Sequence, residues 1–193
     1  MERKTKDHIV NLALMFIQQK GFSSFSYDDI AKRLGITKAA IHYHFESKED
    51  LGIAVCEKIE QTMLAFYRHI SEKMKNHTAT PWSYMESMLG TIGENENCPI
   101  SSLQSDYENL SEKFKEKIRH ISELQMNLFI RLVKEFSPDT EECFAVSCFL
   151  SVKGALQYKR IFGDNFFDSN IKFIKSQFEA ATAGMHIQEG AIR

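Results

Sequence analysis

The chain has 193 residues, 43% of them apolar and 15 of them Phe, enough for a sizeable core in one small domain plus a larger one or in a single helical body. Its net charge of −2 and pI near 6.4 exclude a surface coated throughout in nucleic acid, which needs many cations, but leave room for a small local footprint. Nine Gly and three Pro leave few breakpoints for a strand-rich fold, no run approaches the roughly 18 apolar residues of a membrane span, and the four cysteines form no CxxC pair. The N-terminal MERKTKDHIV has no apolar leader region. The expectation is a cytoplasmic, all-α protein with free thiols.

From about Lys4 to Lys20, the residues Ile9, Leu12, Ala13, Phe16 and Ile17 recur at three- and four-residue steps, the apolar stripe of an amphipathic helix. Gly21 suits the left-handed position that follows, and Phe22 and Phe25 act as apolar plugs. Ser26, with Asp29 three residues on, caps a very short second helix whose buried face is Ile30, Ala31 and Leu34 and which Gly35 ends. Thr37 caps a third helix to about Phe45, with Ile41 and Phe45 inward and Lys38, Ala39, His42 and Tyr43 on the opposite side. Ser47 caps a fourth, where Glu49 and Asp50 meet the positive end of the helix dipole. Leu51, Val55, Ile59, Met63, Phe66, Ile70 and Met74 carry that helix unbroken to about Lys75, on the order of 40 Å at about 1.5 Å per residue, which makes it the expected connector.

After a polar break from Asn76, Pro81 suits the first turn of a helix carrying Trp82, Met85, Met88 and Leu89. Gly93 to Asn97 reads as a loop. The next helix opens at Cys98 and runs through Tyr107 to about Leu110; Ser111 then caps a long one to Phe136. Ser137-Pro138-Asp139 breaks the chain, a helix from Thr140 to Phe162 ends at Gly163-Asp164-Asn165, and a last helix spans about Asp168 to Ala183. That makes about nine helices, with no strand alternation and no internal repeat. Residues past Gly184 are small or polar and read as a frayed tail.

The chemistry concentrates at Gly35 to Leu51. Between Lys32 and Phe45 the charges are Lys32, Arg33 and Lys38 with no acid, although a solvated helical face would explain three cations equally well. Thr37 to His44 carries more than charge. A recognition helix needs side chains that reach base edges or phosphates, a cap that presents its N-terminal amides, and small residues where the groove comes close. Lys38 can reach guanine acceptors or a phosphate, Ala39 and Ala40 allow close approach, and His42, Tyr43 and His44 carry donors for backbone oxygens. The turn Leu34-Gly35-Ile36-Thr37 has the right length for a helix-turn-helix.

The run from Ser26 to Phe45, followed by Ser47-Lys48-Glu49-Asp50-Leu51, closely resembles the DNA-binding signature of the TetR/AcrR family of bacterial repressors, over about a quarter of the chain with helix one included. His42 departs from it, standing where the family usually has Tyr. The resemblance implies an all-helical homodimer with a helix-turn-helix DNA-binding domain at 1–47 and a ligand-binding and dimerisation domain at 48–193, with 48–75 as connector. It implies DNA contacts from Ser26, Tyr27, Thr37, Lys38, Ala39, His42, Tyr43 and Lys48, on a near-palindromic operator read in two successive major grooves about 34 Å apart. It also implies release by a small-molecule inducer. Met63, Phe66, Tyr67, Trp82, Met85, Met88, Tyr107 and Phe129 fall on helices expected to surround the ligand cavity; with no charged residue standing out, the inducer is expected to be apolar or aromatic. The last two helices would form the dimer interface through Phe149, Val152, Phe167, Ile171, Ile174 and Phe178, although an apolar seam is by default core.

Cys98 opens a helix, where the dipole favours a reactive thiolate, but it also suits a small packed residue. His42 and His44 are two apart and point to different sides, so no metal site is expected there. HExxH, GxSxG and phosphate-loop motifs are missing, so neither catalysis nor a cofactor is expected. The rival reading is a small-molecule binding or sequestering protein with a vestigial helix-turn-helix.

Overall fold

The computed structural model describes residues 2–183; the tail expected past Gly184 lies outside the described residues. The fold is all-α. It comprises α1 (Glu2–Lys20), α2 (Tyr27–Leu34), α3 (Lys38–His44), α4 (Lys48–Lys75), α5 (Trp82–Leu89), α6 (Pro99–Ser105), a 3-10 turn at Tyr107–Asn109, α7 (Glu112–Phe136) and α8 (Glu142–Ala183). Among the described residues there is no strand, and no helix is long and apolar enough to cross a membrane. The chain divides into two compact units, Met1–Thr62 with Ile92–Glu123, and Met63–Thr91 with Leu124–Arg193. The division falls within α4, after α5 and within α7.

In the first unit, Ile9, Ala13 and Ile17 of α1, Ile30 of α2, Ile41 of α3, Leu51 and Val55 of α4, and Phe114 and Ile118 of α7 are buried together. Phe114 packs edge-on against Phe22 at 5.0 Å, and it does so because Gly52 has no side chain. A Cβ on Gly52 would stand 2.4 Å from Phe114 Cζ and 2.9 Å from Phe22 Cε2.

Polar ties from distant sequence close this unit. The Ser111 amide and hydroxyl both donate to Glu49, Lys113 Nζ reaches Asp50 at 3.4 Å, and Glu60 receives Lys117 at 2.6 Å and lies 3.1 Å from His120 Nε2. Asp106 accepts from the Ser23 amide at 3.1 Å and the Ser23 hydroxyl at 2.8 Å. The helix expected to run unbroken from Cys98 to Leu110 ends instead at Ser105. At Asp106 (φ −98°, ψ 0°) the chain leaves the helix, and only a 3-10 turn follows.

The second unit packs Met63 of α4, Trp82, Tyr84 and Met85 of α5, Leu128, Phe129 and Leu132 of α7, and Phe149, Val152 and Phe178 of α8. Where two helices with a loop between them were expected, α8 runs from Glu142 to Ala183 with one break, at Gly163 (φ 80°, ψ −179°). Glycine adopts that conformation without Cβ strain, so the helix resumes at once and no loop is needed.

Candidate nucleic-acid interface

The helix-turn-helix is assembled by short-range caps. The Ser26 hydroxyl accepts from the Asp29 amide at 3.3 Å while Asp29 Oδ2 accepts from the Ser26 amide at 2.7 Å, a complete capping box at the start of α2. These Ser26 bonds hold the Asp29 carboxyl below the usual carboxylate range. Gly35, in the left-handed region at φ 65°, closes α2, and its amide and that of Ile36 both donate to the Ala31 carbonyl. The Thr37 hydroxyl accepts from the Ala40 amide at 3.1 Å and starts α3. A second capping box, Ser47 with Asp50, starts α4, and the Ser47 bonds depress the Asp50 carboxyl likewise.

These caps leave α3 with one face in the core and one in solvent. Ile41 and Phe45 are buried, Lys38, Ala39 and His42 are exposed, and Tyr43 is 73% exposed, a large aromatic left in water on a helix of seven residues. Lys38 Nζ donates to Asp28 at 2.8 Å, with both side chains solvent-exposed, so the pair is weak and its cation can be recruited by a stronger anion. Ser26 and Thr37 are exposed at the entrances to α2 and α3.

Two of the expected contacts are engaged inside the protein. Tyr27 is buried, and its hydroxyl donates to the Ser47 carbonyl and, at 3.3 Å, to the Phe45 carbonyl; burial, reinforced by the Asp50 charge, pushes its pKa up to about 12. Its ring meets His42 edge-on at 4.9 Å, which fixes the imidazole on the exposed side of α3. Tyr27 therefore ties α2 to the end of α3 and the start of α4. Lys48 is half-buried with its ammonium 4.7 Å from the Phe22 ring centre and 4.4 Å from that of Phe25. Desolvation lowers its pKa, opposed by the nearby charges of Asp106 and Asp29.

Residues 9–55 match the family described as "Bacterial regulatory proteins, tetR family". A TetR transcriptional regulator from Legionella pneumophila superposes with a TM-score of 0.76 and 27% identity, over 90% of this chain and 96% of that one. The chain belongs to the TetR/AcrR family. Among its relatives is IcaR of Staphylococcus epidermidis, the negative transcriptional regulator of the biofilm operon icaADBC, 25% identical over 138 residues that span 69% of this chain and 70% of IcaR. AcrR of Shigella flexneri is 39% identical over 61 residues, 32% of this chain and 28% of AcrR. As a TetR/AcrR member the chain is a DNA-binding transcriptional regulator, and its helix-turn-helix is the part most like its relatives.

The side chains expected to surround a ligand separate into two groups. Met63, Trp82, Met85 and Phe129 are buried in the second unit, with Phe66, Tyr67 and Met88 half-buried there. The Tyr67 hydroxyl donates to Glu135 at 2.8 Å. Tyr107 belongs to the first unit, where its hydroxyl accepts from Arg119 at 2.9 Å. Of the residues expected at a dimer interface, Phe149, Val152 and Phe178 are buried within the chain's own core, and Phe167, Ile171 and Ile174 are half-buried. The exposed apolar side chains of α8 are others. Tyr158, Ile161 (73%), Phe162 (56%), Phe166 and Phe173 lie in solvent, with Tyr158 stacked on Phe162 at 5.7 Å and Phe166 tilted against Phe162 at 5.0 Å.

Cys98 is buried. So is Cys56, whose thiol burial pushes up to about 12, while Cys143 is exposed with its thiol donating to Glu141, which raises its pKa. Sequence reasoning did not find the Tyr27 hydroxyl's partners, the Asp28 hold on Lys38 or the Asp106 hold on Ser23. For Tyr27 a local signal existed: an aromatic one residue after an N-cap, at the start of a helix too short to stand alone.

Proposed function

We propose that this regulator is a homodimeric repressor that binds a near-palindromic operator and is released by an apolar or aromatic inducer. The observation that carries the reading is the outer face of α3, where Lys38, Ala39, His42 and Tyr43 project to solvent from a helix pinned by Ile41, Phe45 and the Tyr27 hydroxyl. Ser26, Thr37 and Lys48 complete the DNA contacts, and Tyr27 serves as a positioning residue. Residues 1–47 form the DNA-binding head and 48–193 the inducer-binding and dimerising body, with the inducer seated among Met63, Phe66, Tyr67, Trp82, Met85, Met88 and Phe129. Such a ligand releases DNA only as far as it favours the DNA-incompetent arrangement over the competent one. The repressor sense is supported by its relative IcaR, a negative transcriptional regulator.

A gel shift with the DNA upstream of the protein's own gene tests this. Binding is expected to be sequence-selective and to weaken steeply with salt. Replacing Lys38 and Tyr43 together by Ala should weaken it at least about tenfold, since good base or phosphate contacts contribute about 1–3 kcal/mol each. Both side chains are exposed, so thermal stability should stay unchanged. Absence of selective binding would favour the small-molecule binding protein with a vestigial helix-turn-helix.

The exposed apolar side chains of α8 support the dimer, because a surface patch of aromatics marks an interaction site more than a buried seam does. Phe162→Glu places a charge in that patch and touches no core, so it should convert a dimer to a folded monomer in sedimentation velocity. A variant that still sediments as a dimer would move the interface elsewhere.

A further inference from the structure

Among the described residues, three buried side-chain polar atoms lack a hydrogen-bond partner, and two of them, Trp82 Nε1 and the Tyr84 hydroxyl, lie within three residues of each other on α5. The third, Asn97 Oδ1, belongs to the other unit. Buried donors are nearly always bonded, and each exception calls for a reason. Trp82 is 1% exposed and sits in a box of rings: Phe178 packs on it at 5.7 Å, on Phe129 at 5.7 Å and on Phe144 at 6.4 Å. Phe178 thus packs beside an indole whose N–H has no protein acceptor. It is the ring that packs on Trp82, so a ligand stacking on this indole takes the place of Phe178.

We propose that Phe178 is a displaceable plug in the inducer seat, and that the ligand replacing it is an uncharged, ring-sized molecule carrying a hydrogen-bond acceptor for Trp82 Nε1. This rests on the reading that the second unit binds the inducer, and it names the ligand's chemistry. The rings of the box bring no charge, so a charged ligand would enter without compensation, whereas a carbonyl, ether or phenol oxygen supplies the bond that the folded protein leaves unmade. The Tyr84 hydroxyl, whose pKa burial raises, stays protonated and keeps its own donor.

Trp82 is the only tryptophan, so a 1H–15N correlation spectrum contains one indole N–H signal to follow. Acetophenone should move that proton downfield in a saturable way, and ethylbenzene, which has the ring without the acceptor, should bind about tenfold more weakly and cause no downfield shift. Benzoate should leave the signal unmoved. Phe178→Leu, a smaller plug that keeps the site apolar, should tighten acetophenone binding by at least about threefold, because less of the protein must be rearranged first. The proposal is overturned if acetophenone leaves the indole proton in place, or if acetophenone and ethylbenzene shift it alike. None of these readouts involves DNA, so loss of selective operator binding would count against the repressor reading and not against this one.

Discussion

Phe178→Ala is expected to lower the stability of the second unit by about 3–5 kcal/mol, the usual range for removing a fully buried ring and leaving a cavity. The ring is 1% exposed and touches Trp82, Phe129 and Phe144, so no neighbour can swing in without abandoning another contact. Phe162→Ala, on the same helix and 56% exposed, should change stability by less than about 0.5 kcal/mol in the monomer. Urea denaturation followed by Trp82 emission reads the second unit alone, since the chain has one indole. A Phe178→Ala variant within about 1 kcal/mol of the parent would show that the aromatic box collapses freely and is not a packed core.

Gly52→Ala should destabilise the first unit by about 2 kcal/mol, against the ordinary sign of this substitution. In an open helix interior the change gains about 1 kcal/mol from backbone entropy. Here the new Cβ would stand 2.4 Å from Phe114 Cζ, well inside the roughly 3.5–4.0 Å of a carbon contact. Phe114 is fully buried and edge-on to Phe22, so overpacking, costing about 1–3 kcal/mol or slightly more, wins. Denaturant midpoints by circular dichroism check it, and Gly52→Ala combined with Phe114→Leu should recover part of the loss, since the two positions couple through one contact. A stabilised Gly52→Ala protein would mean that the Phe114 ring yields easily.

What was legible in the sequence was local. Ser26 with Asp29, Gly35, Thr37, and Ser47 with Asp50 each act within four residues, so spacing alone located α2, α3 and the start of α4, and the three-and-four stepping of Leu51 to Met74 located the rest of α4 to Lys75. What depended on distant partners was not legible. No pattern near Asp106 announces that its carboxylate will accept from Ser23, 83 residues away. In α8 both faces are apolar, with Phe149 and Phe178 inward and Phe162 and Phe173 outward, so periodicity could not say which seam is core. The candidate DNA contacts were legible as residue types, but the inward turn of the Tyr27 hydroxyl needed the carbonyls at Phe45 and Ser47 to be positioned first.

Lys48 sits with its ammonium over the rings of Phe22 and Phe25, and Phe22 in turn leans on Phe114. A lysine side chain free in solvent carries about 2 kcal/mol of rotamer entropy, much of which is lost when it is fixed against a phosphate. On two aromatic faces, and partly stripped of water, this one has already surrendered that freedom in the course of folding. An anion arriving at the start of α4 meets a cation already held against two rings, so its association there carries a smaller entropic penalty than at a lysine free in solvent.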